Sequence, residues 1–145
     1  MKKDPRHRAR EAALQILYQW DVGGSGVDRA ADTFFTFQWP NADPPSDELR
    51  AFASRLAHDA VGRLEEVDAL IAQTAANWRP ERMAVLDRLI LRMAVCELLR
   101  DPETPPAVII NEALELARTF STEESVKFIN GMLDAIRKRI EKVRS

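Results

Sequence analysis

The chain has 145 residues, about one domain by length, and 46% of them are hydrophobic, enough to bury a sizeable core without covalent staples. A single cysteine, Cys96, excludes an internal disulfide, and with only His7 and His58 beside it no usual metal-ligand spacing exists, so neither metal nor cofactor is expected. The net charge of −2 is uneven: residues 1–10 carry +4, residues 137–145 carry +4 and the 126 between them −10, which excludes a globally basic coat and points to a local anionic partner.

No apolar run approaches the roughly 18 residues that span a bilayer, and the start is charged rather than signal-like, so a cytoplasmic protein with no membrane partner is expected. The first helix begins at Asp4-Pro5, with Asp4 as N-cap and Pro5 at the first helical position, and runs to about Asp21. Ala9, Ala13, Ile16, Leu17 and Trp20 share one face, with Glu11, Gln15 and Gln19 opposite, and Arg10 lands beside the apolar arc. Gly23-Gly24-Ser25-Gly26 lacks the Lys-Ser/Thr tail of a phosphate-binding loop and reads as a link.

A second helix is expected over 27–38, ending in the aromatic group Phe34, Phe35, Phe37 and Trp39, which packs between helices or meets another copy of the chain. After the Pro40–Pro45 break, Ser46 opens a third helix to about Val61, and Gly62 separates it from a fourth over about 63–77. His58 reads as an ordinary surface or hydrogen-bonded histidine. Met83–Arg100 has no Gly or Pro and is apolar on nearly every face, the pattern of a helix buried on all sides. Its Asp87, Arg88, Arg92 and Glu97 must then either sit at gaps between neighbouring elements or find partners, because an unpaired buried charge is very unfavourable. Thr104 is expected to cap a sixth helix from Pro105 to about Phe120, and Ser121 with Glu124 forms a capping box for a seventh. That last helix carries Val126, Ile129, Leu133, Ile136, Ile140 and Val143 on one stripe, and Gly131 inside it suggests a bend or close approach by another backbone. The chain reads as all-α.

Two features ask for more than a core. Helix N-termini favour acids, each misplaced cation costing about 0.3–1 kcal/mol, yet Arg6, His7, Arg8 and Arg10 crowd the first two turns. Phosphates are the natural counter-charge. Near the start of the last helix Lys127-Phe128 sets an aromatic beside a cation, which can stack on an unpaired base or pack on a neighbouring helix. No nucleophile and base stand in a recognisable motif, so an enzyme is not expected.

The segments Arg6–Asp21, Asp87–Leu98, Pro105–Phe120 (PPAVIINEALELARTF) and Glu124–Asp134 (ESVKFINGMLD) resemble, in order and spacing, the NusB family of bacterial transcription antitermination factors. The resemblance implies two packed three-helix bundles with about seven helices in total, an N-terminal bundle over about 1–77 and a C-terminal one over about 78–145, the first and central helices lying at their junction. It implies no catalysis. Such proteins pair with the ribosomal protein NusE, bind boxA leader RNA and join the RNA polymerase antitermination complex, so that ribosomal RNA operons are transcribed in full.

Carried over by position, Lys2, Lys3, Arg6, His7, Arg8 and Arg10 correspond to the RNA-contacting start, and Glu124, Lys127 and Phe128 to a second RNA-proximal patch. Asp87 and Arg92, with Arg88 between them, fall on the protein-partner face. His7 replaces the family's usual arginine, so that position lacks a permanently charged fork. Asn111 is expected to hydrogen-bond within the helical junction. The competing reading is a helical scaffold that self-associates through Phe34, Phe35, Phe37 and Trp39 without touching RNA; monomer or homodimer is left open.

Overall fold

The computed structural model of the protein describes residues 5–40, 43–75 and 78–144. Seven α-helices, and no strand, occur among the described residues: α1 (Pro5–Gly23), α2 (Val27–Thr33), α3 (Asp47–Gly62), α4 (Leu64–Thr74), α5 (Val85–Arg100), α6 (Pro106–Phe120) and α7 (Glu123–Arg144). A π-helical turn, Phe34–Gln38, continues α2, and a 3₁₀ turn, Pro80–Arg82, precedes α5. The chain divides into two compact units between Gly62 and Arg63.

In the first unit α1 packs on α3, and α2 packs on both. Alanines at 9, 12 and 13 on α1, and at 53, 57 and 60 on α3, are almost completely buried, and such small side chains let helices approach closely. Leu14, Ile16, Leu17, Leu49 and Leu56 fill the remaining space. Gln19, placed opposite the apolar face by its spacing, instead has its Nε2 shielded from solvent without a hydrogen-bond partner. The expected Asp4 cap lies outside the described residues. Ser46 begins α3 as its pattern predicts, its Oγ accepting from the Leu49 backbone N–H at 3.1 Å.

The π-helical turn departs from the regular helix expected to reach residue 38. The Trp39 N–H donates to the Phe34 carbonyl five residues back, and this wider turn packs Phe34, Phe35 and Trp39 together with ring centroids 5.2–6.2 Å apart.

The second unit is built on α5, which contacts α4, α6 and α7 and buries Leu89–Leu91 and Met93–Leu98, as an all-round apolar helix should. Cys96 is one of these core residues. Its N-terminal half begins at Val85 rather than Met83, where Met83 ends the 3₁₀ turn and its Sδ lies 2.9 Å from the Trp78 Nε1. Helix α4 buries Val67 and Ile71 and contacts α5 and α7, so the second unit holds four helices.

Four local expectations are corrected. Asp101, not Thr104, organises the turn before α6: its carboxylate accepts from the Glu103 and Thr104 backbone N–H groups and from the Thr104 hydroxyl, leaving Pro105 as N-cap and Pro106 as the first helical residue. Thr122 rather than Ser121 caps α7, accepting from the Ser125 N–H at 3.1 Å, because the Ser121 hydroxyl is taken by Asp87. A Cβ built on Gly131 meets nothing within 4 Å, so this glycine answers no close approach and α7 runs on through it. Asn111 is exposed on α6 rather than bonded within a junction.

The basic C-terminal end is occupied within its own unit. Arg137 pairs with Asp134 and Glu141, and Lys138 with Asp134. Arg139 donates to the Gln73 carbonyl at 2.8 Å and Arg144 to the Leu99 carbonyl at 2.7 Å. Those carbonyls belong to the last turns of α4 and α5, where a helix leaves acceptors unfilled and its dipole favours cations. Two of the cations there thus close helix ends, and two more pair with acids of α7 itself.

Candidate nucleic-acid interface

The basic start of α1 remains as the chain's concentrated cationic feature, and no acidic residue sits in its first turn to offset it. Lys2 and Lys3 lie outside the described residues. Arg6 is exposed, His7 and Arg8 are half-buried, and Arg10 is only 3% exposed. Because residues three and four apart share a helix face, Arg6 and Arg10 point the same way, toward α3. Their guanidinium carbons stand 4.7 and 5.4 Å from the centre of the Phe52 ring.

Arg8 turns the other way and is held twice. Its guanidinium carbon lies 4.7 Å from the Trp39 ring centre, and its Nη1 lies 3.0 Å from an Asp43 carboxylate oxygen. The Trp39 indole N–H donates to the Asp43 carbonyl, so the ring and the carboxylate come from one short loop. His7 Nε2 stands 3.5 Å from the Glu11 carboxylate one turn on. A cation over an aromatic face gains about 0.5–1 kcal/mol when exposed and about 2 or more when dry, so these rings offset part of the charge crowding that the helix dipole opposes.

The rings under the arginines are absent from any reading of the first helix by itself. Phe52 is 42–46 residues away and looks like one more apolar position of α3. Of the aromatic group after α2, three rings are buried and Phe37 alone is 80% exposed. A self-association surface made of all four is therefore not formed; packing claims Phe34, Phe35 and Trp39.

The second candidate patch belongs to the other unit. Glu124, Lys127 and Phe128 are all exposed on the first turns of α7, with Phe128 44% exposed. Their spacing of three and four places them on one face, while Val126 and Ile129 go to the core.

Asp87, Arg88 and Arg92, expected on a partner face, are each tied inside the second unit. The Asp87 carboxylate accepts from the Ser121 hydroxyl and, at 2.6 Å, from the Ser125 hydroxyl. Arg88 Nη1 donates to the Pro80 carbonyl at 2.8 Å. Arg92 makes a forked pair with Asp68, Nε and Nη2 each 2.9 Å from one carboxylate oxygen. These bonds fix where α4, the 3₁₀ turn and α7 meet α5, and sequence alone could not find them because Asp68, Ser121 and Ser125 are 24–38 residues from their partners.

The model of the NusB family matches residues 7–138. The transcription antitermination protein NusB of Koribacter versatilis is 45% identical over 141 residues, covering 97% of this chain and 94% of that protein. Among solved structures, T. maritima NusB superposes with a TM-score of 0.82 at 31% identity, covering 94% of this chain and 93% of that one. A crystal structure of the antitermination factors NusB and NusE in complex with double-stranded RNA superposes with a TM-score of 0.79 at 26% identity, covering 93% of this chain and 97% of that one.

Proposed function

This chain belongs to the NusB family of transcription antitermination proteins, and from that premise we infer that it is an RNA-binding adaptor that pairs with NusE on boxA leader RNA. It acts in transcription antitermination and not as an enzyme. In this reading it joins the RNA polymerase antitermination complex in the cytoplasm and keeps ribosomal RNA operons transcribed past terminators. No helix among the described residues is long and apolar enough to cross a membrane.

The observation that carries the reading is the arginine-rich first turn, set on aromatic rings and with no acidic residue within that turn. Phosphate neutralisation by such side chains releases counterions and supplies sequence-independent affinity, whereas unstacked bases provide the selectivity. Arg6 and Arg8 present phosphate donors; Lys2, Lys3 and His7 extend the basic run, and Arg10, deeply buried, holds it against α3. Glu124, Lys127 and Phe128 offer a second contact, a ring for stacking with a cation beside it. Asp87, Arg88 and Arg92 shape the face that meets NusE.

The test is fluorescence anisotropy of a labelled single-stranded boxA-like RNA with the protein and purified NusE, comparing the wild type with Arg6→Ala. Arg6→Ala is expected to weaken RNA binding several-fold while leaving NusE binding, measured by calorimetry, unchanged. Equal loss of both would reveal a folding defect and remove the support Arg6 gives to the RNA reading.

A further inference from the structure

Arg6 and Arg10 are not the only cations gathered on Phe52. The guanidinium carbon of Arg55, one turn along α3, stands 5.3 Å from the same ring centre, so three arginines from two helices surround one half-buried aromatic. An anion brought against the exposed Arg6 and Arg55 gains from both charges. Arg55 is exposed, and among the described residues no carboxylate pairs with it, in contrast to Arg63, Arg92, Arg118 and Arg137. Contact with the ring engages the charge of Arg55 but leaves its N–H donors for another acceptor, and a guanidinium's forked donors match two phosphate oxygens.

Beside this cluster lies an open groove of about 330 Å³ between the starts of α1 and α3. Pro5, Ala9, Leu49 and Phe52 give it an apolar floor, with Arg6 on its wall and Glu48 also lining it. The volume is at the low end of small-molecule sites, which run from roughly 300 to 1,000 Å³, and suits one planar base better than a larger ligand. The groove is polarised as well. A phosphate is repelled by Glu48 and drawn to the arginines, while the Glu48 carboxylate can accept from the amino edge of a base.

We propose that the groove and Arg55 form a nucleotide subsite, in which α3 extends the RNA surface begun by α1: one unstacked base enters the groove and its adjoining phosphate lies against Arg6 and Arg55. The inference rests on the RNA-binding reading above. Phe52 is then a positioning residue that holds arginines of two helices at one phosphate.

The experiment uses the full chain with NusE and labelled single-stranded boxA-like RNA over a salt series, comparing wild type, Arg55→Gln and Arg29→Gln. Arg29 is an exposed cation of α2 that serves as a control for loss of one charge. Arg55→Gln is expected to flatten the log–log salt slope by about 0.7 and weaken binding about three- to fivefold near 0.15 M salt, as for one lost phosphate contact on a single strand. Arg29→Gln should leave the slope unchanged. Photo-crosslinking of the same RNA carrying 4-thiouridine should label the peptide that contains Leu49 and Phe52. An unaltered slope in Arg55→Gln, with Arg6→Ala impaired, overturns the α3 subsite alone; absence of crosslinks from α3 overturns the base in the groove. Failure of the wild type to bind RNA overturns the underlying RNA reading instead.

Discussion

Removing the Asp87 carboxylate tests how much of the second unit depends on one side chain. It accepts two hydroxyl hydrogen bonds, from Ser121 before α7 and Ser125 within it, and so ties the first turn of α5 to the start of α7. A hydrogen bond to a charged group contributes about 1.5–3 kcal/mol. All three residues are half-buried, so in Asp87→Ala the two released hydroxyls reach water and the combined loss falls at the low end, about 3 kcal/mol. With a urea m-value of about 1–3 kcal/mol/M the unfolding midpoint should drop by roughly 1–2 M. The assay is urea unfolding followed by far-ultraviolet circular dichroism, with Ser125→Ala and the double variant completing a cycle. Coupling between the two sites should reach about 1 kcal/mol. A loss below about 0.5 kcal/mol in Asp87→Ala, or strict additivity with Ser125→Ala, would refute the idea that this carboxylate joins α5 to α7. The result also governs how binding data are read, because the start of α7 carries Glu124, Lys127 and Phe128.

Two smaller effects follow from the same helix. Gly131→Ala should stabilise the protein by about 0.5–1 kcal/mol, since the added Cβ meets nothing and a helix-interior glycine is conformationally unfavourable, and a lower urea midpoint in this variant would show that something does approach Gly131. The Asp134 carboxyl is held below the usual carboxylate range by its hydrogen bond to Arg137 first and to Lys138 second. Its lowered value means that the stabilisation is complete above the ordinary carboxylate range and is lost as the pH falls through the lowered one. Asp134→Asn should therefore lower the urea midpoint near pH 7 and not below pH about 2, a difference that shrinks in high salt because the group is exposed; an equal effect at both pH values would contradict the assignment.

Local punctuation made most helix ends legible. Pro5, the Pro40–Pro45 break and Ser46 act through backbone geometry or hydrogen bonds a few residues long, and the corresponding ends fall within a residue or two of expectation. The α7 cap shows where this stops. Ser121 and Thr122 both satisfy a local capping pattern, and the choice is made by Asp87, 34 residues away. Gly131 fails for a related reason: a glycine in a helix is visible in the sequence, whereas the empty space beside it is not.

The candidate site divides along the same line. Arg6, Arg8 and Arg10 were conspicuous because they oppose the helix dipole, but the sequence pattern does not show that one is exposed, one is paired and one is buried. Phe52 and Arg55 are an unremarkable apolar residue and a surface cation until α3 packs on α1. That Asp87 and Arg92 on a buried helix must sit at gaps or be paired is legible in the sequence, whereas the partners themselves, Ser121, Ser125 and Asp68, are not.

The central claim is tested most directly by the anisotropy of labelled single-stranded boxA-like RNA titrated with the wild-type protein, alone and with NusE, across a salt series. Three or four phosphate contacts predict a log–log slope of roughly −2 to −3, with binding tightened when NusE is added. Folded protein that leaves the RNA free at every salt concentration, with and without NusE, would contradict the account.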